Sequence, residues 1–227
     1  MNPAVGIKLP KVEKKDFEAW EPEQVGVFLD VASRHRLGAL FELAMLTGMR
    51  RGELIGLRWS DVDLARRQLS ICNNRVQAGN VIVDNAPKTK SGRRNLDLDD
   101  RTVGALLGWK ASQEAQETLW GDAWQRTGYV FTYEDGTPLK PQYVTRLFEK
   151  LRVKADLPKI TFHGQRHENA SLMIASGADI AIVAKRLGHS SVSITADLYA
   201  HLIGSASRQA GENAAALVPK RTKVDSE

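Results

Sequence analysis

The stretches Thr161-Phe162-His163-Gly164-Gln165-Arg166-His167 and Leu187-Gly188-His189-Ser190-Ser191-Val192-Ser193-Ile194-Thr195-Ala196-Asp197-Leu198-Tyr199 decide how this chain reads. Gly177 and Gly188 end two successive helices, and Ser190 or Ser191 caps a third that carries Tyr199. His163 and Arg166, three apart at the start of a helix, point to one side. Far upstream, in Thr47-Gly48-Met49-Arg50-Arg51-Gly52-Glu53-Leu54, Gly48 closes an apolar helix in a left-handed cap, and Arg50 falls just beyond its buried end. Two guanidiniums can grip phosphate oxygens bidentately, imidazoles can add hydrogen bonds, and a phenol can attack phosphorus. Such a set supplies what phosphodiester exchange without a metal requires.

Working outward, residues 1–19 contain Pro3, Pro10 and several lysines without clear periodicity, and read as a linker or arm. The folded part begins near Trp20. Pro22 suits a first helical turn, with Val25, Phe28, Leu29 and Ala32 at helical spacing. Leu40 to Leu46 is apolar on almost every face, which predicts a central helix. Between Gln68 and Leu98 the pattern turns strand-like, at Leu69 to Cys72 and Val81 to Val83, and predicts a small three-stranded antiparallel sheet. Asp99 or Asp100 caps the next helix, Asp135-Gly136 marks a turn, and Pro141 opens a helix carrying Val144, Leu147, Phe148 and Leu151. The fold class is mainly α with a small β component. On a purely structural reading Tyr199 would be a half-buried aromatic, although Leu198 already supplies its helix with apolar bulk at the adjacent position.

The 227 residues, 42% hydrophobic and 26% charged, suffice for a substantial core. No run of eighteen apolar residues and no signal-peptide pattern occurs, so the expected compartment is the cytoplasm with no membrane association. The single cysteine, Cys72, lies in an apolar alternation and reads as a packed strand residue. A net charge of +5 is compatible with a polyanionic partner without requiring one. His163 and His167 have the spacing of two zinc ligands, but Glu168 stands where no metalloprotease base belongs and a third ligand is not evident.

The order and spacing of Arg50, Lys90, His163, Arg166, His189 and Tyr199 resemble the tyrosine recombinases, phage and mobile-element integrases in particular, from Trp20 to about Leu202. The resemblance implies a helical catalytic domain of the DNA breaking-rejoining type over 20–202, with 203–227 a tail able to dock in trans on a neighbouring subunit. It implies that Arg50 and Arg166 clamp the scissile phosphate and that His163 and His189 donate to it, His163 also helping to move the tyrosine proton. Tyr199 would form a 3′-phosphotyrosyl bond, and Lys90, preferred over Lys88, would protonate the departing 5′ oxygen. His167 would be structural, and Glu53 would brace the Arg50 loop. No cofactor or metal is implied. The implied partners are double-stranded DNA recombination sites and, on synapsed DNA, three further copies of a chain that is monomeric alone. Nothing before Trp20 reads as the helical domain with which such enzymes encircle DNA. Gln165 and Glu168 depart from the family's usual pattern, an apolar residue before the arginine and Thr after the following histidine. A polar amide in a core-facing slot needs a partner. Two other readings are a DNA-binding regulator, since Ile180 to Thr195 also reads as a helix-turn-helix, and a catalytically silent recombinase fragment.

Overall fold

An apolar sequence on every face can be satisfied only in the centre of a helical assembly, and in the computed structural model Gly38–Thr47 (α2) fills that place. The structure describes residues 20–79, 81–87 and 90–218. Helices Pro22–Ser33 (α1), Arg51–Ile55 (α3), Asp100–Trp120 (α4) and Pro141–Lys154 (α5) surround or adjoin α2, followed by Gly164–Ala175 (α6), Ile180–Leu187 (α7) and Val192–Ala216 (α8). Pro22 and Pro141 open their helices, and the Asp99 carboxylate accepts from the Thr102 N–H at the start of α4.

Among the described residues, five short strands lie between α3 and α4: Val62–Asp63 (β1), Gln68–Ile71 (β2), Asn74–Ala78 (β3), Val81–Asn85 (β4) and Arg94–Asp97 (β5). A three-stranded antiparallel sheet is present, in the order β1, β2, β5, with Leu69 opposite both Val62 and Leu96. The Val81 stretch does not join it. It pairs instead with β3 as a separate hairpin, Val76 opposite Val83, because Asn74 to Ala78 offers it a nearer antiparallel partner. Cys72 is also corrected: it lies one residue past β2 and is exposed.

One aromatic cluster fixes the start of α6. Trp20 stacks near Phe28 and Phe148, Phe148 meets Phe162 edge-on at 5.4 Å, and Phe41 of α2 meets Phe162 at 6.4 Å. Burying each ring contributes about 1.5–3 kcal/mol, and together they pin Phe162, the residue before His163. A second cluster, Ala170, Ile174, Val183, Leu187 and Tyr199, binds α6, α7 and α8 to one another. Here the helical face is the reverse of that expected: Leu198 is exposed, whereas Tyr199 is 2% exposed. The backbone departs from helical geometry at Tyr199 (φ −119°, ψ 20°), where α8 kinks.

Candidate active site

Two helix ends create the site. Gly48 ends α2 and Gly188 ends α7, both in the left-handed conformation that glycine adopts without strain (φ 63° and 68°). Neither position has room for a side chain. A Cβ on Gly48 would lie 2.7 Å from Leu187 Cδ2 and 2.9 Å from Asn169 Oδ1, and one on Gly188 would lie 2.8 Å from the Ser91 carbonyl oxygen. The backbone carbonyls at these two ends point at the arginines. Arg166 donates through Nη1 to the Gly48 oxygen at 2.8 Å and through Nη2 to the Leu187 oxygen. Arg50 donates through Nη2 to the Gly188 oxygen at 3.3 Å. The negative ends of α2 and α7 thus hold the two guanidiniums that the sequence singles out.

Between them lies Glu53, on α3 and buried. It accepts from the Arg50 backbone N–H and Nη1, both at 2.9 Å, and from Arg94 Nη1 and Nη2 at 3.1 and 3.0 Å. Burial alone would raise the Glu53 carboxyl, but hydrogen bonds and charge from Arg94 and Arg50 outweigh it and hold it below its ordinary value. Arg94 further donates through Nε to the Arg186 carbonyl at 2.6 Å, so one β5 side chain ties α3 to α7. Arg50 and Arg94 therefore share one carboxylate, whose charge also acts on Arg166, so that three guanidiniums gather around a single anion. The excess positive charge suits an anion. Burial and the neighbouring Arg50 push Arg166 down to about 9, which leaves it charged at neutral pH.

The three histidines occupy distinct places. His163 is the residue before α6 and is exposed. His167, one turn on, is half-buried, and its Nδ1 lies 2.7 Å from the Tyr199 hydroxyl. His189 lies 2.7 Å through Nδ1 from Thr195 Oγ1. Burial and the nearby Arg166 and Arg50 lower His189 to about 4, and burial lowers His163 and His167 as well. All three are neutral rings at pH 7. In the tautomer whose Nδ1 accepts from the Thr195 hydroxyl, His189 carries its proton on Nε2, where it can donate to an anion. The Tyr199 phenol is pushed upward by burial, against the opposing charge of Arg166 and reinforced by that of Glu168. It is therefore a protonated phenol within hydrogen-bond distance of His167 Nδ1.

Of the six residues the sequence singles out, Arg50 and Arg166 are brought together around the two helix ends, and His189 follows the Gly188 that anchors Arg50. His163 and Tyr199 do not meet in the described contacts; the ring bonded to the phenol is that of His167. Lys90 begins the turn Lys90–Gly92, but its side chain and the whole of Lys88 lie outside the described residues. Sequence reasoning missed Arg94, which its place behind a hairpin turn marked only as a basic residue, and Thr195, for which no signal was present. Gln165 finds half of what it needs: Nε2 donates to the Met49 carbonyl at 3.0 Å, and Oε1 has no partner among the described residues. Ile180 to Thr195 does form helix, turn and helix, but its turn is occupied by the Gly188 and His189 contacts just described.

Compared with known families, residues 20–204 match the phage integrase family. The chain belongs to that family. Among similar phage integrase relatives, the ICEBs1 integrase of Bacillus subtilis strain 168 is 30% identical over 203 residues, covering 88% of this chain and 55% of the relative. A XerC-like tyrosine recombinase of Caldanaerobacter subterraneus subsp. tengcongensis is 29% identical over 221 residues, covering 89% of this chain and 56% of the relative. The chain thus spans just over half the length of these relatives. The fold is that of the Tn1549 transposon integrase solved with transposon right end DNA, at a TM-score of 0.75 and 21% identity over 91% of this chain and 69% of that one. XerA recombinase superimposes at a TM-score of 0.67 with 25% identity, over 90% and 66% of the two chains.

Proposed function

We propose that this chain is the catalytic domain, residues 20–202, of a site-specific DNA recombinase that cuts and rejoins strands through a phosphotyrosine. The carrying observation is the convergence of Arg50 and Arg166 on the carbonyl ends of α2 and α7, with the Tyr199 phenol bonded to the ring of the residue next to Arg166. A pentacoordinate phosphorus places added charge on its equatorial oxygens, and fixed guanidiniums and neutral imidazole donors stabilise it without reorganisation. His163 and His189 complete this donor set. In the first step the Tyr199 oxygen forms a bond to phosphorus, the bond from phosphorus to the 5′ oxygen breaks, His167 takes the phenol proton, and Lys90 gives a proton to the departing oxygen. A 5′ hydroxyl from another strand reverses these steps. Chemically the exchange conserves one phosphodiester per bond broken, so it consumes no nucleotide.

The substrate under this reading is double-stranded DNA, and the site of action is the cytoplasm. None of the described helices is long and apolar enough to cross a membrane. Recombination joins two duplexes and needs four active sites, which implies four copies on synapsed DNA. Residues 203–227 would assist by docking in trans, for which Leu217 and Val218, 85% and 68% exposed, offer apolar contact.

A covalent trap tests the reading. A randomised pool of nicked duplexes, whose cleaved end diffuses away and prevents rejoining, is incubated with the chain, and denaturation-resistant adducts are recovered. The expected result is an adduct formed by the parent and lost in Tyr199→Phe with DNA binding retained. An adduct with the Phe variant would remove the nucleophile assignment, and DNA binding without any adduct would favour the silent-fragment or regulator reading.

A further inference from the structure

Glu168 is a carboxyl with no part in the reaction just described, yet it is buried on the helix that carries Arg166 and His167. Its Oε2 accepts the backbone N–H of Trp20 at 2.8 Å, and its Oε1 has no partner among the described residues. Trp20 is itself anchored: its indole donates to the Pro158 carbonyl at 3.0 Å and its ring packs on Phe28 and Phe148. The carboxyl therefore joins the first described residue of the chain to the middle of the catalytic helix. A carboxylate with one N–H partner and no cation is an expensive group to bury, whereas a carboxylic acid is not.

We propose that Glu168 is a positioning residue for strand cleavage, a buried carboxylic acid that clasps Trp20 to α6 and must keep its proton for Tyr199 to lose its own. This rests on the recombinase reading above. The charged group acting on it is Glu21 at the start of α1, and Glu168 in turn acts on Tyr199 of α8. Burial, despite the Trp20 N–H and reinforced by Glu21, raises Glu168 to about 7. The coupling to the nucleophile follows from charge. An ionised Glu168 opposes the Tyr199 phenolate, as the upward push it exerts on that phenol indicates; a neutral one does not. The signs agree with stability: a carboxyl raised in the folded state favours folding below its ordinary value, and this contribution is lost as pH climbs toward 7.

The test compares the parent with Glu168→Gln, which keeps an acceptor for the Trp20 N–H but cannot ionise. Infrared difference spectra of the DNA-free chains should show a protonated carboxyl C=O band in the parent only, fading as pH rises through about 7. The melting temperature of the Gln variant should exceed the parent's at about pH 8 and lose that advantage near pH 5. On the nicked duplex pool, the ratio of variant to parent adduct rates should rise by roughly threefold or more between about pH 6 and pH 8.5. A missing infrared band, or a rate ratio that is flat with pH, overturns the proposal. If the parent forms no adduct at all, the recombinase reading fails and takes the catalytic role with it, while the infrared band still decides whether the buried group is an acid.

Discussion

Replacing Glu53 by Gln removes the one carboxylate that Arg50 and Arg94 share. The two partners do not weigh equally. Arg94 is 5% and Glu53 3% exposed in their side chains, so the pair is dry and the change leaves Arg94 with no counter-ion among the described residues. Breaking such a pair from one side costs about 3–5 kcal/mol. The Arg50 side chain is 38% exposed and solvent screens its share, which adds well under about 1 kcal/mol. Gln keeps one acceptor oxygen, so the lower end, about 3 kcal/mol, is expected. For a domain of this size that corresponds to a melting temperature lower by roughly 6–12 °C. Arg94→Met in the same chain should recover part of the loss, because removing both charges leaves neither orphaned. The pH dependence carries a sign. The Glu53 carboxyl is held below its ordinary value of 4.5, so its contribution is complete above that value and disappears as pH falls through the lower one. Thermal melts of parent, single and double variants at neutral and acid pH measure all of this. A Glu53→Gln chain that melts with the parent at neutral pH, or a loss undiminished in acid, would refute the reasoning.

Arg50→Lys and Arg166→Lys should each slow adduct formation by roughly a hundredfold or more, since a point charge cannot satisfy a helix-end carbonyl and a phosphate as a fork does; single-turnover rates near the parent's would remove either from the clamp. Cleavage by Lys90→Ala should be restored on DNA with sulfur in place of the bridging 5′ oxygen, because a thiolate leaves unprotonated, and rescue of Lys88→Ala instead would shift the assignment. Gly48→Ala should destabilise by roughly 1–3 kcal/mol or more through a strained left-handed residue and the clash with Leu187 and Asn169, as read by urea unfolding. His189, lowered to about 4 by burial first and then by its arginine neighbours, contributes stability that falls away as pH drops from 6.5 toward 4; His189→Asn should flatten that part of the melting profile.

Helix boundaries were legible because single residues set them: Pro22, Gly48, Asp99, Pro141, Gly188 and Ser191 each sit where the backbone needs that chemistry. Strand partnership was not. β1 is two residues long, too short for any alternation, and Val81 to Val83 carries no mark of which neighbour it pairs with. The same limit governs the site. Arg50, Arg166 and Tyr199 stand out by type and order, but Arg94 becomes important only because β5 brings it against Glu53, and Glu168 only because the start of the chain returns to α6. The face of α8 was misjudged because the kink at Tyr199 turns the ring inward against α6 and α7.

The acceptors that hold Arg166, and one of those that hold Arg50, are main-chain oxygens. No substitution can delete a main-chain oxygen. What can displace it is a change in where α2 or α7 stops, so the alignment of the guanidiniums is encoded in helix length and in two glycines rather than in partner side chains. An insertion or deletion of one residue in either helix would rotate its terminal carbonyl by about 100° and unseat an arginine without touching it.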